Sequence, residues 1–316
     1  MRKFIARITR IQRSSQLAAF LVAVLVFAVP AQAAGDRCVV VDKAKRAVSA
    51  FEHGRRLATY PASFGIDPVS DKRKAFDCAT PEGLYFVSYK KDVTRFHRTL
   101  GLSYPGLGDA EKALACGLIS IPEFRRIRDA VRKSRPGPCG TGLGCGIAIH
   151  GGGVFRQFGE YRERDWTEGC IALNNPDMEK LFALCRLGDQ VVIFNSEASL
   201  FGLARPFSQA TDLDADGLPQ CPQGVCVSEA RFMTALGAAV VRITEGALWS
   251  VQATVLDPGD EGHVLLTLFD RNADGRMSFQ DSASGPLAEG RSLQETYAML
   301  RQALADALSS GTCFAP

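Results

Sequence analysis

The order of residues at the N-terminus constrains this chain most, because it sets the compartment in which everything after it must fold. Residues 1–33 hold Arg2, Lys3, Arg7, Arg10 and Arg13 and no acid, then an apolar run from Leu17 to Val29, then Pro30 and Ala31-Gln32-Ala33. This order predicts a secretory signal peptide over residues 1–33. Its apolar run is short of the roughly 20 residues that a membrane-spanning helix needs, so no membrane span is expected after cleavage. Disulfides persist in exported proteins, and the 316 residues include ten cysteines. Cys139 with Cys145, and Cys221 with Cys226, each enclose a short Gly-containing turn and are expected as local bridges. The remaining six, Cys38, Cys78, Cys116, Cys170, Cys185 and Cys313, cannot be paired from spacing.

The leader also carries the positive charge. The chain has 37 Lys+Arg against 34 Asp+Glu, a net charge of +3, and removing the five leader cations leaves −2. No electrostatic basis for binding nucleic acid remains. The length beyond the leader suits two domains, with a change of composition near Ser196 to Gln209. The expected organisation is a first domain over 36–196, a linker over 197–209 and a second domain over 210–316.

Strand patterns dominate the first domain. Val39–Asp42, Ala47–Glu52, Leu57–Tyr60, Gly83–Tyr89, Gly146–His150 and Gln190–Phe194 are short apolar or alternating runs. Helices are expected over Pro122–Lys133 and from Asn175 to Gly188, the second with Asn175 as its cap and Pro176 in its first turn. The basic run Arg125, Arg126, Arg128, Arg132 and Lys133 reads as a solvated helix face. Beyond residue 205 the Ala-, Leu- and Val-rich stretch 228–255 and the segment 292–309 read as helical.

Reactive residue types concentrate between Ile147 and Leu173. His150-Gly151 closes an apolar strand, and Trp166-Thr167-Glu168-Gly169-Cys170 follows a polar and basic loop. A thiol is largely protonated at neutral pH, and a neighbouring imidazole can accept its proton and stabilise the thiolate. Gly169 beside the sulfur would let a substrate carbonyl approach backbone amides able to hold an oxyanion.

His150-Gly151 followed by Thr167-Glu168-Gly169-Cys170 resembles the signature of the L,D-transpeptidase catalytic-domain (YkuD-type) family, in the subgroup worded Trp-Thr-x-Gly-Cys-Ile-Ala. The likeness runs over about residues 38 to 195, through Val41-Asp42-Lys43, Phe64-Gly65, Thr80-Pro81-Glu82-Gly83-Leu84-Tyr85-Phe86 and Leu102-Ser103-Tyr104-Pro105. It implies an exported, periplasmic enzyme acting on peptidoglycan stem peptides. Cys170 would be the nucleophile and His150 its base. The Gly151 carbonyl would orient the imidazole, with Thr167 and Gly169 supporting the loop. No cofactor is implied for catalysis. Two positions depart from the commonest wording: Glu168 stands where many relatives have His, and Ala172 where many have Arg. A substrate carboxylate then needs another cation, for which Arg162 and Arg164 are the candidates, with Trp166 beside them.

Two alternatives stay open. The same scaffold could hydrolyse rather than transfer, and the chain could be a non-catalytic, disulfide-stapled module that binds wall polymer or calcium. Ten cysteines allow five bridges that include Cys170, whereas the catalytic reading requires four bridges and a spare thiol, for which Cys185 is the candidate. His53, His97 and His263 lack partners at metal spacing and read as surface or loop residues.

In the second domain, residues 270–281 fit a twelve-residue EF-hand calcium loop, with Asp270, Asn272, Asp274, Arg276 and Asp281 as its ligand set and Leu265–Phe269 as its incoming helix. Asp212-Leu213-Asp214-Ala215-Asp216-Gly217 begins in the same way but lacks the closing acid. The expected fold class is thus α+β: a β-rich L,D-transpeptidase-like catalytic domain followed by a small, mainly helical, EF-hand-like domain.

Overall fold

Two runs, Arg37-Cys-Val-Val-Val-Asp42 and Gln190-Val-Val-Ile-Phe194, are apolar at consecutive positions, as strands buried on both faces must be. The computed structural model describes residues 37–246, 249–256, 263–270 and 282–311 and places these two strands side by side. The predicted leader lies outside the described residues. In chain order the first part of the molecule contains β1 (Arg37–Asp42), β2 (Ala47–Glu52), β3 (Arg55–Pro61), β4 (Gly83–Thr94) and β5 (His97–Leu102). Helices α1 (Leu107–Ala115) and α2 (Ile121–Arg132) follow, then β6 (Ala148–His150), β7 (Phe155–Phe158), β8 (Tyr161–Arg164), β9 (Ile171–Ala172), α3 (Asn175–Leu184) and β10 (Gln190–Phe194).

Eight of these strands form one sheet in the order β3-β2-β1-β10-β4-β5-β6-β9, while β7 and β8 pair as a separate hairpin. Only β1 with β10 and β6 with β9 run parallel within the large sheet. Side chains alternate across it. Val39, Val41, Val191 and Ile193 enter one core, with Phe124 and Ile127 of α2 and Met178 and Leu181 of α3. Cys38, Val40, Val192 and Phe194 enter a second core on the opposite face.

The second core is built with the C-terminal part, and here the structure corrects the sequence reading. Residues 197–209, expected as a linker, are packed into the fold. They contain α4 (Leu200–Ala204) and a 3-10 turn at Arg205–Phe207, with Leu200, Leu203 and Ala204 buried. The described residues of 210–316 are not mainly helical. A six-stranded antiparallel sheet runs in the order β11 (Gln209–Ala210), β12 (Cys226–Thr234), β13 (Gly237–Glu245), β14 (Trp249–Leu256), β15 (His263–Asp270) and β16 (Ala283–Ser284).

The period of two explains the outcome. Ala230, Phe232, Ala239, Val241, Ile243, Val251 and Ala253 point inward, while Arg231 and Arg242 between them face solvent. The expected C-terminal helix is present as α5 (Leu293–Ser309), capped by Ser292, whose Oγ accepts from Glu295 N at 3.2 Å. Leu300, Leu304 and Leu308 of α5 complete the second core, and the described residues form one compact unit.

Leu265–Phe269 belongs to a strand rather than an incoming EF-hand helix. Residues 271–281 of that loop, with Asn272, Asp274, Arg276 and Asp281, lie outside the described residues. The other acidic loop is described. Asp214 Oδ1 accepts from the backbone N–H of Asp216 and Leu218, and Asp216 pairs with Arg125 at 3.2 Å. Its carboxylates close an Asx turn and dock on α2, so the basic face of that helix is partly a docking face.

Both expected local bridges, Cys139–Cys145 and Cys221–Cys226, are present. The set of four bridges is not: Cys78 and Cys116 are free thiols alongside Cys170 and Cys185. Among the described residues, no helix is long and apolar enough to cross a membrane, and no group of three or more His, Cys, Asp and Glu is placed to hold a metal ion.

Candidate active site

Parallel pairing of β6 with β9 sets Ile149 opposite Ile171 and His150 opposite Ala172. Ile149 and Ile171 fill the first core. His150, one residue on, faces the other way, and Cys170 immediately precedes β9, one residue before Ile171 and diagonally across from His150. With strands about 4.8 Å apart and a rise of about 3.3 Å per residue, two Cα atoms so placed are roughly 8 Å apart. A cysteine and a histidine can approach each other from there. Cys170 carries no disulfide.

The imidazole is fixed on several sides. His150 Nδ1 lies 2.6 Å from the Gly151 carbonyl, and since a carbonyl only accepts, Nδ1 carries the proton and Nε2 is the basic nitrogen. Phe96 stacks on the ring with centroids 4.6 Å apart, and Trp166 meets it edge-on at 5.8 Å. Trp166 is itself held by an Nε1–H bond to the Gly153 carbonyl at 3.1 Å, which makes it a packing residue of the site. Asn175 Oδ1 accepts from Gly152 N at 2.8 Å and Asn174 Oδ1 from Val154 N at 3.3 Å, steadying the turn after the histidine. Asn174, not Asn175, occupies the cap position of α3. Burial pushes the His150 pKa below the ordinary 6.5; the Gly151 contact opposes this, and the cations Arg95 and Arg156 add to it.

The nucleophile loop is clamped from within. Thr167 Oγ1 donates to the Cys170 carbonyl at 2.6 Å and accepts from Gly169 N at 3.1 Å. Of the backbone amides beside the sulfur, that of Gly169 is therefore already engaged. Cys170 Sγ lies 3.6 Å from the Gly146 carbonyl. Burial raises the thiol above its ordinary value. The Ala148 amide, Lys72 and Arg95 pull it back, and Glu168 raises it further. Both partners are thus neutral at rest, which suits proton transfer during attack rather than a standing ion pair.

Residues 62–67 run beside this loop and pin it. Ser63 and Ala172 exchange backbone bonds at 2.9 and 2.8 Å, Thr167 N donates to the Phe64 carbonyl at 3.1 Å, and Ile66 N donates to the Thr167 carbonyl at 3.0 Å. Asp165 joins the two segments. Its Oδ1 accepts from Phe64 N at 3.0 Å, and its Oδ2 accepts from Arg46 Nη2 at 2.5 Å.

The hairpin of β7 and β8 carries Arg162 and Arg164, which stand over Phe155 at 4.5 and 5.7 Å. The cations that act on the imidazole are Arg95 and Arg156 instead. Sequence reasoning missed these two, together with Phe96, Asp165 and Arg46. Phe96 lies 54 positions from His150 with no local pattern to connect them.

The model of the L,D-transpeptidase catalytic domain (YkuD) matches residues 36–193, a span that contains His150 and Cys170. The chain belongs to this L,D-transpeptidase family. Among solved structures, similarity extends to an L,D-transpeptidase from Xylanimonas cellulosilytica, 16% identical over 52% of this chain and 62% of that one, with a TM-score of 0.30. An L,D-transpeptidase from Mycobacterium smegmatis is 13% identical over 50% and 58%, with a TM-score of 0.30. Bdellovibrio bacteriovorus Bd1075 is 15% identical over 76% and 94%, with a TM-score of 0.35. The chain spans less than two thirds of the length of the first two. No curated protein matches the sequence.

Within this L,D-transpeptidase-family site, one glycine is constrained by its surroundings. Gly169 has φ +120°, and a Cβ added there would lie 2.6 Å from the Ala79 carbonyl oxygen. Gly169→Ala is expected to lower stability by about 1–3 kcal/mol through backbone strain and to slow alkylation of Cys170. A melting curve and an alkylation rate both at wild-type values would refute this.

Proposed function

We propose that the chain is an exported peptidoglycan L,D-transpeptidase in which Cys170 attacks stem peptides. The observation that carries this reading is the parallel pairing of β6 with β9, which sets His150 beside the segment that Cys170 immediately precedes, inside the span matched by the family. As Sγ attacks the carbonyl between the L-centre of a diamino acid and a following D-alanine, His150 Nε2 takes the thiol proton. The tetrahedral intermediate collapses to a thioester, and the imidazolium returns its proton to the departing D-alanine amine. A second stem's amine then displaces sulfur to give a 3→3 cross-link. Water in its place would give a trimmed tripeptide. The predicted leader supports a reaction in the periplasm, on the wall polymer.

The test is incubation of the purified protein with tetrapeptide muropeptides, followed by product masses. Cross-linked dimers support transfer and trimmed monomers alone support the hydrolase. The absence of both, with an unreactive Cys170, would leave the non-catalytic module.

The pH profile follows from the site. An imidazolium cannot accept the thiol proton, so activity is lost as pH falls through the His150 pKa. Burial and the two arginines hold that value below 6.5. The acid limb of kcat/KM should therefore be centred below pH 6.5; a midpoint above it would contradict the proposed base.

A further inference from the structure

The proposed reaction needs a cation that the motif does not supply. The imidazolium hands its proton to the leaving amine, so the expelled D-amino acid lies on the His150 side of the sulfur. Its carboxylate is attached to the carbon bearing that amine. Ala172, two residues beyond Cys170, is apolar and buried in the sheet.

Two guanidiniums stand on the imidazole side of the site. Arg95 Cζ is 4.6 Å from the centre of the Phe96 ring, which stacks on His150. Arg156 Cζ is 4.7 Å from the Trp166 ring and 5.6 Å from Phe96. Each is one ring removed from the imidazole, and both residues are exposed. Among the described residues neither has a carboxylate partner, unlike Arg46 and Arg205, which pair with Asp165 and Glu245. Ring faces hold the two cations in place and leave their N–H groups available to an anion.

Resting on the transpeptidase reading, we infer that Arg95 and Arg156 together bind the free carboxylate of the D-amino acid that leaves, or enters in exchange, on the His150 side. Donor stems are then selected for ending one residue beyond the bond that is cut. Glu168, exposed and acting on the sulfur as an anion, gives the site its polarity by repelling a carboxylate from its own side. A carboxylate on the arginines also offsets their depression of His150, so binding of the correct substrate makes the base stronger.

Two measurements on the full-length protein test this. The first compares a tetrapeptide ending in a free carboxylate with its carboxamide. Wild type should prefer the acid by at least about tenfold in kcat/KM, as loss of a charge-assisted pair predicts. The double variant Arg95→Gln/Arg156→Gln should retain less than about a twofold preference for the acid over the carboxamide. The second follows alkylation of Cys170, identified by peptide mass, with anionic iodoacetate and neutral iodoacetamide. The double variant should lower the iodoacetate-to-iodoacetamide rate ratio about fivefold, Glu168→Gln should raise it, and salt should shrink both effects. A preference that survives in the double variant, or a rate ratio that does not move, overturns the inference alone. Absence of turnover on either peptide overturns the reading beneath it as well.

Discussion

Cys170→Ala is expected to abolish turnover of tetrapeptide muropeptides, by at least about 10⁴-fold, since no acyl-enzyme can form without the sulfur and members of a nucleophile–base pair act as a unit. The same variant should fold normally. Cys170 is half-buried, and Thr167 holds the loop through the Cys170 backbone carbonyl rather than through sulfur. A change in stability within about 1 kcal/mol is therefore expected. Intact-mass spectra of wild type with substrate should show a thioester adduct that the variant lacks. His150→Gln should cost nearly as much, and the double variant no more than the worse single one. Turnover by Cys170→Ala at even a tenth of the wild-type rate would remove the nucleophile from the account.

The second large effect concerns residues far from the sulfur. A chain stopped after Ser196 is expected not to yield a soluble, cooperatively folded monomer. Such a truncation removes α4, the second sheet and α5, and bares Val40, Phe51, Val192 and Phe194 on an open sheet face. Each of these side chains contributes about 1.5–3 kcal/mol when buried, and together they rival the ~5–15 kcal/mol that holds a typical domain folded. Gel filtration and thermal melting of the truncated protein decide the matter. A monomer melting at the full-length temperature would show that the family-matched span stands alone. An aspartate at Val192 in the full chain probes the same contact without truncation and should also be severely destabilising, because it buries an unpaired charge.

How far the structure was legible in the sequence differs between the two halves for a physical reason. In the first half, consecutive apolar residues at 38–41 and 191–194 announced strands buried on both sides, and the histidine and cysteine wordings lay on short segments flanking one polar loop. In the second half, alanine recurs at the inward positions 230, 239 and 253, and alanine favours helices on its own. The alternation Ala230-Arg231-Phe232-Met233 was the better signal, since burial of every second residue settles strand over helix whatever the local preference. At the site, the pair Asn174-Asn175 reads from sequence only as a helix start, yet its side chains also hold the turn that follows His150. Arg95 and Arg156 gave no signal, because their role comes from the ring faces they rest on, and those faces meet only after the sheet has formed.

The parallel pairing of Cys38 with Gln190 has a bearing on how the protein is made. The sheet's first strand gains its inner neighbour only when the tenth has been synthesised, closing a loop of about 150 residues, and such distant pairings form slowly. Until then a nascent chain lacks the centre of its sheet. Delayed assembly of this kind keeps a polypeptide threadable, as the proposed export through a translocation pore would require.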